Sequence, residues 1–146
     1  MRNKILTKIL SFFFGITVLS SCEKDLSTGF TDETIKDITG KWKIVALTRN
    51  GEDLTERMDL SKFRIVFNAD GTYTLEDRFA FIVSGPGTYS LSDPQYPFAL
   101  ILTPQSQPEA QAKFQFPVVK GKRQVSLTMS PGCSGNTYQF NFEREN

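Results

Sequence analysis

The chain of 146 residues contains no histidine. That removes the commonest general acid–base group, the commonest metal ligand and any His-based catalytic triad. Only two cysteines are present, Cys22 and Cys133, too few for a disulfide framework or a Cys-rich zinc site. Excess charge is lacking as well. The 17 Lys and Arg stand against 16 Asp and Glu, and the first 21 residues take three of the bases, leaving 14 against 16 from Cys22 onward. A near-neutral surface has no long-range field to attract nucleic acid, so no nucleic-acid partner is expected. The longest apolar run, Ile9 to Leu19, is eleven residues. A membrane-crossing helix needs about 20.

What stands in place of these features begins at the N-terminus. Arg2, Lys4 and Lys8 precede the apolar run, and Ser20, Ser21 and Cys22 follow it. A basic n-region, a short h-region and small residues make residues 1–21 a secretory signal peptide. Cys22 is then half a disulfide, a buried thiol or a modification site. The stretch "LSSC" resembles the lipobox of bacterial lipoprotein signal peptides, against the alternative of an ordinary secretory peptide with a chance cysteine. The resemblance implies cleavage before Cys22, diacylglycerol on its sulfur and a palmitate-type acyl chain on its nitrogen. Two or three acyl chains hold a protein on a membrane where one is marginal. Glu23 stands where the inner-membrane retention signal has Asp, and "CEKD" is similar to surface-export signals of some Gram-negative lipoproteins. The implied location is the outer membrane, lipid-anchored, with exposure at the cell surface. Residues 22–39 are polar and read as a flexible tether, with one helical turn at 32–37 where Asp32 caps and Ile35 docks.

From Gly40 to the end, apolar residues alternate with period two and no long helical period appears. Trp42, Ile44 and Ala46 share one face of a first strand, and Phe63, Ile65 and Phe67 one face of a second. "ADG" at 69–71 marks a hairpin. Tyr73, Leu75, Phe79, Phe81 and Val83 keep one parity and predict a long third strand, bulged near Asp77. Tyr89 and Leu91 lie on a fourth, Phe98, Leu100 and Leu102 on a fifth. Ala112, Phe114, Phe116 and Val118 make a sixth, Val125, Leu127 and Met129 a seventh, and Tyr138, Phe140 and Phe142 an eighth. Asp53 and Glu56 stand at capping-box spacing and predict one short helix between strands one and two. Eight antiparallel strands in sequence order, each with one apolar face, close as an up-and-down barrel that leaves no free edge. A sandwich or jelly roll is the alternative. In the closed barrel the last strand pairs with the first, and Arg144 falls beside Trp42 at one mouth. Otherwise Arg144 is a solvated terminal side chain.

"GKW" at 40–42, opening such a meander, resembles the G-x-W motif of lipocalins. Their tryptophan closes the barrel base against an arginine from a late strand, roles that fall here to Trp42 and Arg144. More widely, "ITGKWKIVALTRNG", "FRIVFNADGTYTL", "DPQYPF" and "SPGCSGNTYQFNFER" resemble a lipocalin-like domain family of predicted Gram-negative lipoproteins with unassigned function. The resemblance covers roughly residues 38–146. Short strands and missing later lipocalin motifs and disulfide cysteines separate the chain from true lipocalins.

Eight strands enclose either packed side chains or one small ligand. The inward parity collects 13 aromatic residues, and each covers about 150–250 Å². The two readings are a solid core and an aromatic pocket for a small apolar ligand. The pocket reading lines the cavity with Phe63, Phe81, Phe114, Phe140 and Met129, entered away from Trp42. The function expected is a membrane-anchored lipocalin-like binding protein. The alternative is a filled-barrel structural or protein-interaction module of the cell envelope, with an envelope protein as partner. No cofactor, metal or enzymatic activity is expected. Glu76 and Asp77 are adjacent on a strand and point to opposite faces. "GPG" at 85–87 lacks the strand-to-helix context of a phosphate loop, and Lys120, Lys122 and Arg123 read as solvated turn charges. Replacing Cys22 by Ala should abolish fatty-acid labelling and move the chain out of the membrane fraction. A variant that still partitions into membranes sinks the lipid-anchor reading.

Overall fold

In the computed structural model the alternating segments pair antiparallel, neighbour to neighbour in sequence order. The structure describes residues 33–77, 79, 81–132 and 135–145. Cys22, Asp32 and Cys133, with the readings placed on them, lie outside the described residues. The strands are β1 (Gly40–Arg49), β2 (Glu52–Asp53), β3 (Arg64–Phe67), β4 (Thr72–Glu76) and β5 (Gly87–Leu91). They continue with β6 (Ala99–Pro104), β7 (Ala110–Gln115), β8 (Val118–Val119), β9 (Lys122–Met129) and β10 (Tyr138–Arg144). All pairings are antiparallel. β1, β3, β4, β5, β6, β7, β9 and β10 form a ring, closed by β10 pairing with both β9 and β1. The fold is the expected closed eight-stranded barrel. The two-residue strands β2 and β8 are hairpin extensions on β1 and β9.

The barrel core is apolar. Trp42, Tyr73, Leu100, Leu102, Leu127 and Phe142 are fully buried, and Phe63, Ile65, Phe67, Phe114 and Phe140 nearly so. Ile38, just before the first strand, is also buried in this core.

Six local expectations are corrected by the backbone. In β1 the register against β10 shifts between Ile44 and Ala46. This bulge hands the inward position to Leu47, while Ala46 is only half-buried. β4 ends at Glu76, because Asp77 takes φ +62° and turns the chain out of the ladder. Phe79, Phe81 and Val83 therefore lie on a connection rather than on a strand. β7 ends at Gln115, and past Pro117 the exposed Val118 belongs to the β8–β9 hairpin. Phe98 is 66% exposed, because β6 begins only at Ala99. The helical segment after β2 is a single 3₁₀ turn, Thr55–Arg57, and no capping box forms. Asp53 instead accepts a hydrogen bond from the Thr55 backbone N–H at 2.8 Å, folding the chain locally and leaving no first turn to cap. Residues 33–37 carry no helical turn, and Ile35 is exposed.

β4 and β5 pair only at Thr72 with Thr88 and Tyr73 with Gly87. Gly87 is squeezed where these strands meet β6. A Cβ there would stand 2.1 Å from the Thr103 carbonyl oxygen and 2.7 Å from the Pro104 Cα, both backbone atoms. Neither neighbour can rotate away, so the ladder itself must shift to admit a methyl group. Gly87→Ala should cost about 3 kcal/mol of unfolding free energy in urea titrations. A change below about 0.5 kcal/mol would contradict the close approach.

Candidate functional site

Beyond the Tyr73–Gly87 pair, β4 and β5 diverge, and the connection between them carries Phe79 and Phe81 onto the core. Phe81 contacts Phe63, Phe140 and Phe142 with ring centroids at 5.5, 5.4 and 6.0 Å. Phe79 lies 5.6 Å from Phe63 and 6.1 Å from Phe140. Tilted and edge-to-face rings of this kind pack densely. Of the five residues expected to line one internal cavity, Phe63, Phe81, Phe114, Phe140 and Met129, the structure brings only two together at one open space. Phe63 and Phe81 are spent on packing, and Phe114 lines a separate groove with Phe116 and Arg123. Phe140 and Met129 share one open space.

That space is an apolar pocket of about 210 Å³ at the mouth away from Trp42. Leu47, Leu54, Met58, Phe79, Met129 and Phe140 line it, with Arg49, Pro131 and Tyr138 at its rim. Tyr138 stacks on Phe140 and carries the Arg49 guanidinium 5.9 Å above its ring. Leu54 and Met58 come from the segment around the 3₁₀ turn, which the sequence offers only as a short polar helix. Nothing in their spacing marks them as lining residues.

The opposite mouth holds the Trp42–Arg144 pair where the strand order places it. Trp42 is opposite Arg144 in the β1–β10 register, and the guanidinium carbon stands 5.1 Å from the Trp42 ring. The Trp42 indole N–H donates to the Ile38 carbonyl at 2.8 Å, and Arg144 donates to the Asp37 carbonyl at 3.3 Å. Gly40 makes room for this arrangement. It adopts φ +120°, and a Cβ there would meet the Arg144 side chain at 3.4 Å. Both members of the "GKW" signature thus answer to one side chain. Around the pair opens a cleft of about 430 Å³, lined by Asp37, Trp42, Phe116, Lys122, Arg123, Glu143 and Arg144. The carboxyl of Asp37 is held below its ordinary range by hydrogen bonds from Thr39, with the Arg144 charge adding. Glu143 is lowered mainly by the hydrogen bond from Gln124, then by Lys122. The basic turn residues that read as solvated charges, Lys122 and Arg123, therefore belong to the same cleft as Trp42. Only the barrel closure brings them together.

Glu76 and Asp77, adjacent in sequence, form no carboxylate pair. Glu76 bonds to Lys41 at 2.6 Å, and Asp77 sits at the bend. Among the described residues no group of three His, Cys, Asp or Glu is placed to hold a metal.

One buried polar atom stands out. The Tyr73 hydroxyl is buried and has no hydrogen-bond partner among the described residues. Burial raises its pKa to about 12. An unpartnered buried hydroxyl costs stability, so Tyr73→Phe should raise the unfolding free energy by about 1 kcal/mol. The pH dependence has a definite sign. The unfolded phenol ionises near pH 10 and the folded one near 12. The unfolded state therefore loses its proton first, and stability falls as pH rises from 10 to 12. Thermal melts should show this loss in the wild type and a shallower one in Tyr73→Phe. Destabilisation by the variant would mean that the hydroxyl is satisfied in solution.

Residues 19–143 match the model of a family described as Domain of unknown function (DUF5004). No curated protein and no solved structure matches the chain.

Proposed function

The chain belongs to the DUF5004 family, and from that premise we propose that it is a lipid-anchored, lipocalin-like binding module of the outer membrane, not an enzyme. In this reading residues 1–21 direct export and Cys22 carries the acyl chains. The 11 residues from Cys22 to Asp32 span at most about 40 Å, which keeps the barrel near the bilayer. A small apolar ligand is taken at the mouth away from Trp42.

The observation that carries this reading is the pocket formed by Leu47, Leu54, Met58, Phe79, Met129 and Phe140. It is lined almost wholly by apolar groups, two of them methionines that adapt to irregular shapes. At about 210 Å³ it is smaller than the roughly 300–1,000 Å³ of drug-sized sites. The ligand is therefore a ring or a short chain end that stays partly open to solvent. A lipocalin-style occupant of the barrel centre is disfavoured by Phe79 and Phe81, which fill that space.

The second reading is a filled-barrel structural or interaction module serving an envelope protein partner. It is favoured by the packed interior and by the exposed Tyr96, Phe98 and Val118. An uncharged naphthylamine fluorophore separates the two. The wild type should bind one equivalent, and Met58→Arg should weaken binding at least about tenfold by placing a charge in the apolar lining. Met58 is 39% exposed, so the variant should melt within about 2 °C of the wild type. A wild type that binds no probe, or a variant that binds it unchanged, overturns the ligand reading in favour of the second.

A further inference from the structure

The cleft at the Trp42 mouth has the makings of a second site with opposite chemistry. Two guanidinium groups face it, and each is held by a ring and a carbonyl rather than by a carboxylate. Arg123 stands 5.1 Å above Phe116 and donates to the Phe116 carbonyl at 2.9 Å. Arg144 stands 5.1 Å above Trp42 and donates to the Asp37 carbonyl. The two rings lie 6.3 Å apart, so the cations flank one aromatic platform. Among the described residues neither guanidinium has a carboxylate within ion-pair distance. The nearby acids make their hydrogen bonds to other groups, although the Arg144 charge still acts on Asp37 and the Arg123 charge on Glu33. Asp37 accepts the Thr39 backbone N–H at 2.8 Å. Glu143 accepts from Gln124 at 3.0 Å and pairs with Lys122 at 3.4 Å.

A guanidinium carries five N–H donors in a fixed fork. Among the described residues one hydrogen bond each leaves most of the fork on Arg123 and Arg144 for a ligand. Their rings and carbonyls restrict the side chains in advance, which lowers the entropy cost of capturing a ligand. The lining holds Lys122, Arg123 and Arg144 against Asp37 and Glu143, a net charge of +1 before a ligand arrives. Oxygen anions with several acceptors suit such forks best, and phosphate offers three. The half-buried Phe116 ring beside the cations suits an apolar or aromatic body attached to that phosphate, while the fully buried Trp42 ring backs Arg144.

We infer that the cleft between Arg123 and Arg144 is a binding site for a phosphate ester with an apolar or aromatic body. Two sources supply that chemistry: a lipid headgroup and a free phosphomonoester. The headgroup has geometric support. Residues 33–39 enter the barrel at this mouth, where the Lys36 backbone N–H bonds to the Pro94 carbonyl at 2.8 Å. The exposed Tyr96 and Phe98 follow on the same loop. The headgroup source rests on the lipid-anchor reading; phosphate binding itself does not.

The test uses the purified protein at low salt with phenyl phosphate and with short-chain dihexanoyl phosphatidylglycerol below its micelle concentration. Binding is followed by ³¹P line width and by the emission of Trp42, the one tryptophan of the chain. One-to-one saturable binding is expected, weakening as sodium chloride rises. Arg123→Gln should lower affinity about tenfold, and Lys122→Gln a few-fold. Both residues are exposed, so neither change threatens folding. Lys113→Gln, which removes a charge from the exposed face of β7, should leave affinity unchanged. Tighter binding of the phospholipid assigns the headgroup as source, and tighter binding of phenyl phosphate assigns a free ester. No saturable binding of either probe overturns the inference. So does binding that Arg123→Gln leaves intact, or benzoate bound as tightly as phenyl phosphate. A failed naphthylamine titration with phosphate bound would remove only the apolar site at the other mouth.

Discussion

Pairing between β1 and β10 is the constraint on which the remaining structure rests. Each strand has one apolar face, and a sheet of eight such strands left open would expose that face and two unpaired edges. The ladder from Trp42–Arg144 to Arg49–Tyr138 removes both edges at once. It is reinforced at the Trp42 end, where Glu145 makes two 3.0 Å bonds to the Arg64 guanidinium and its backbone N–H bonds to Lys41 at 2.8 Å. The bulge between Ile44 and Ala46 lets a ten-residue strand keep its wall against β10 while its inward face passes to Leu47. Closure also explains why the signature residues are spaced as they are. Gly40 must leave room for the arginine that covers Trp42, and that arginine comes from the other end of the domain.

Once the barrel is closed, its contents decide where binding can occur. The β4–β5 connection lays Phe79 and Phe81 against Phe63, Phe140 and Phe142, so the centre is occupied by the chain's own rings. Recognition then moves to the two mouths, which differ in kind. One is a shallow apolar pocket beside two methionines. The other is a wider cleft with two cations over two rings. On the proposed reading the protein is a small rigid support on a lipid stalk, and its specificity lies at its ends.

Much of this was legible in the sequence because period two and turn residues act locally. The strand faces follow from parity, the hairpin at Gly71 from "ADG", and the Trp42–Arg144 meeting from counting a closed meander. The misreadings share a cause as well. Parity continues through a break in the ladder without registering it, so Phe79, Phe81 and Val83 looked like strand where Asp77 had already turned the chain. Phe98 and Val118 kept the right parity but lie beyond the last ladder pairs, where nothing holds them inward. The capping-box spacing at Asp53 and Glu56 lost to a shorter-range bond from Asp53 to Thr55. The mouth clusters were out of reach for a different reason. Arg123 joins Asp37, Trp42 and Arg144 only through closure, and no local pattern encodes that.

The claim that orders this account is that the barrel is closed and filled by its own aromatic rings. Nuclear Overhauser contacts among selectively labelled phenylalanines test it most directly. The account predicts strong ring-to-ring contacts from Phe81 to Phe63, Phe140 and Phe142, and from Phe79 to Phe63, in the protein without added ligand. Rings of Phe79 and Phe81 that show no contact to those partners and are relaxed by a soluble paramagnetic agent would contradict it. The interior would then be open, and the site of recognition would have to be sought inside the barrel.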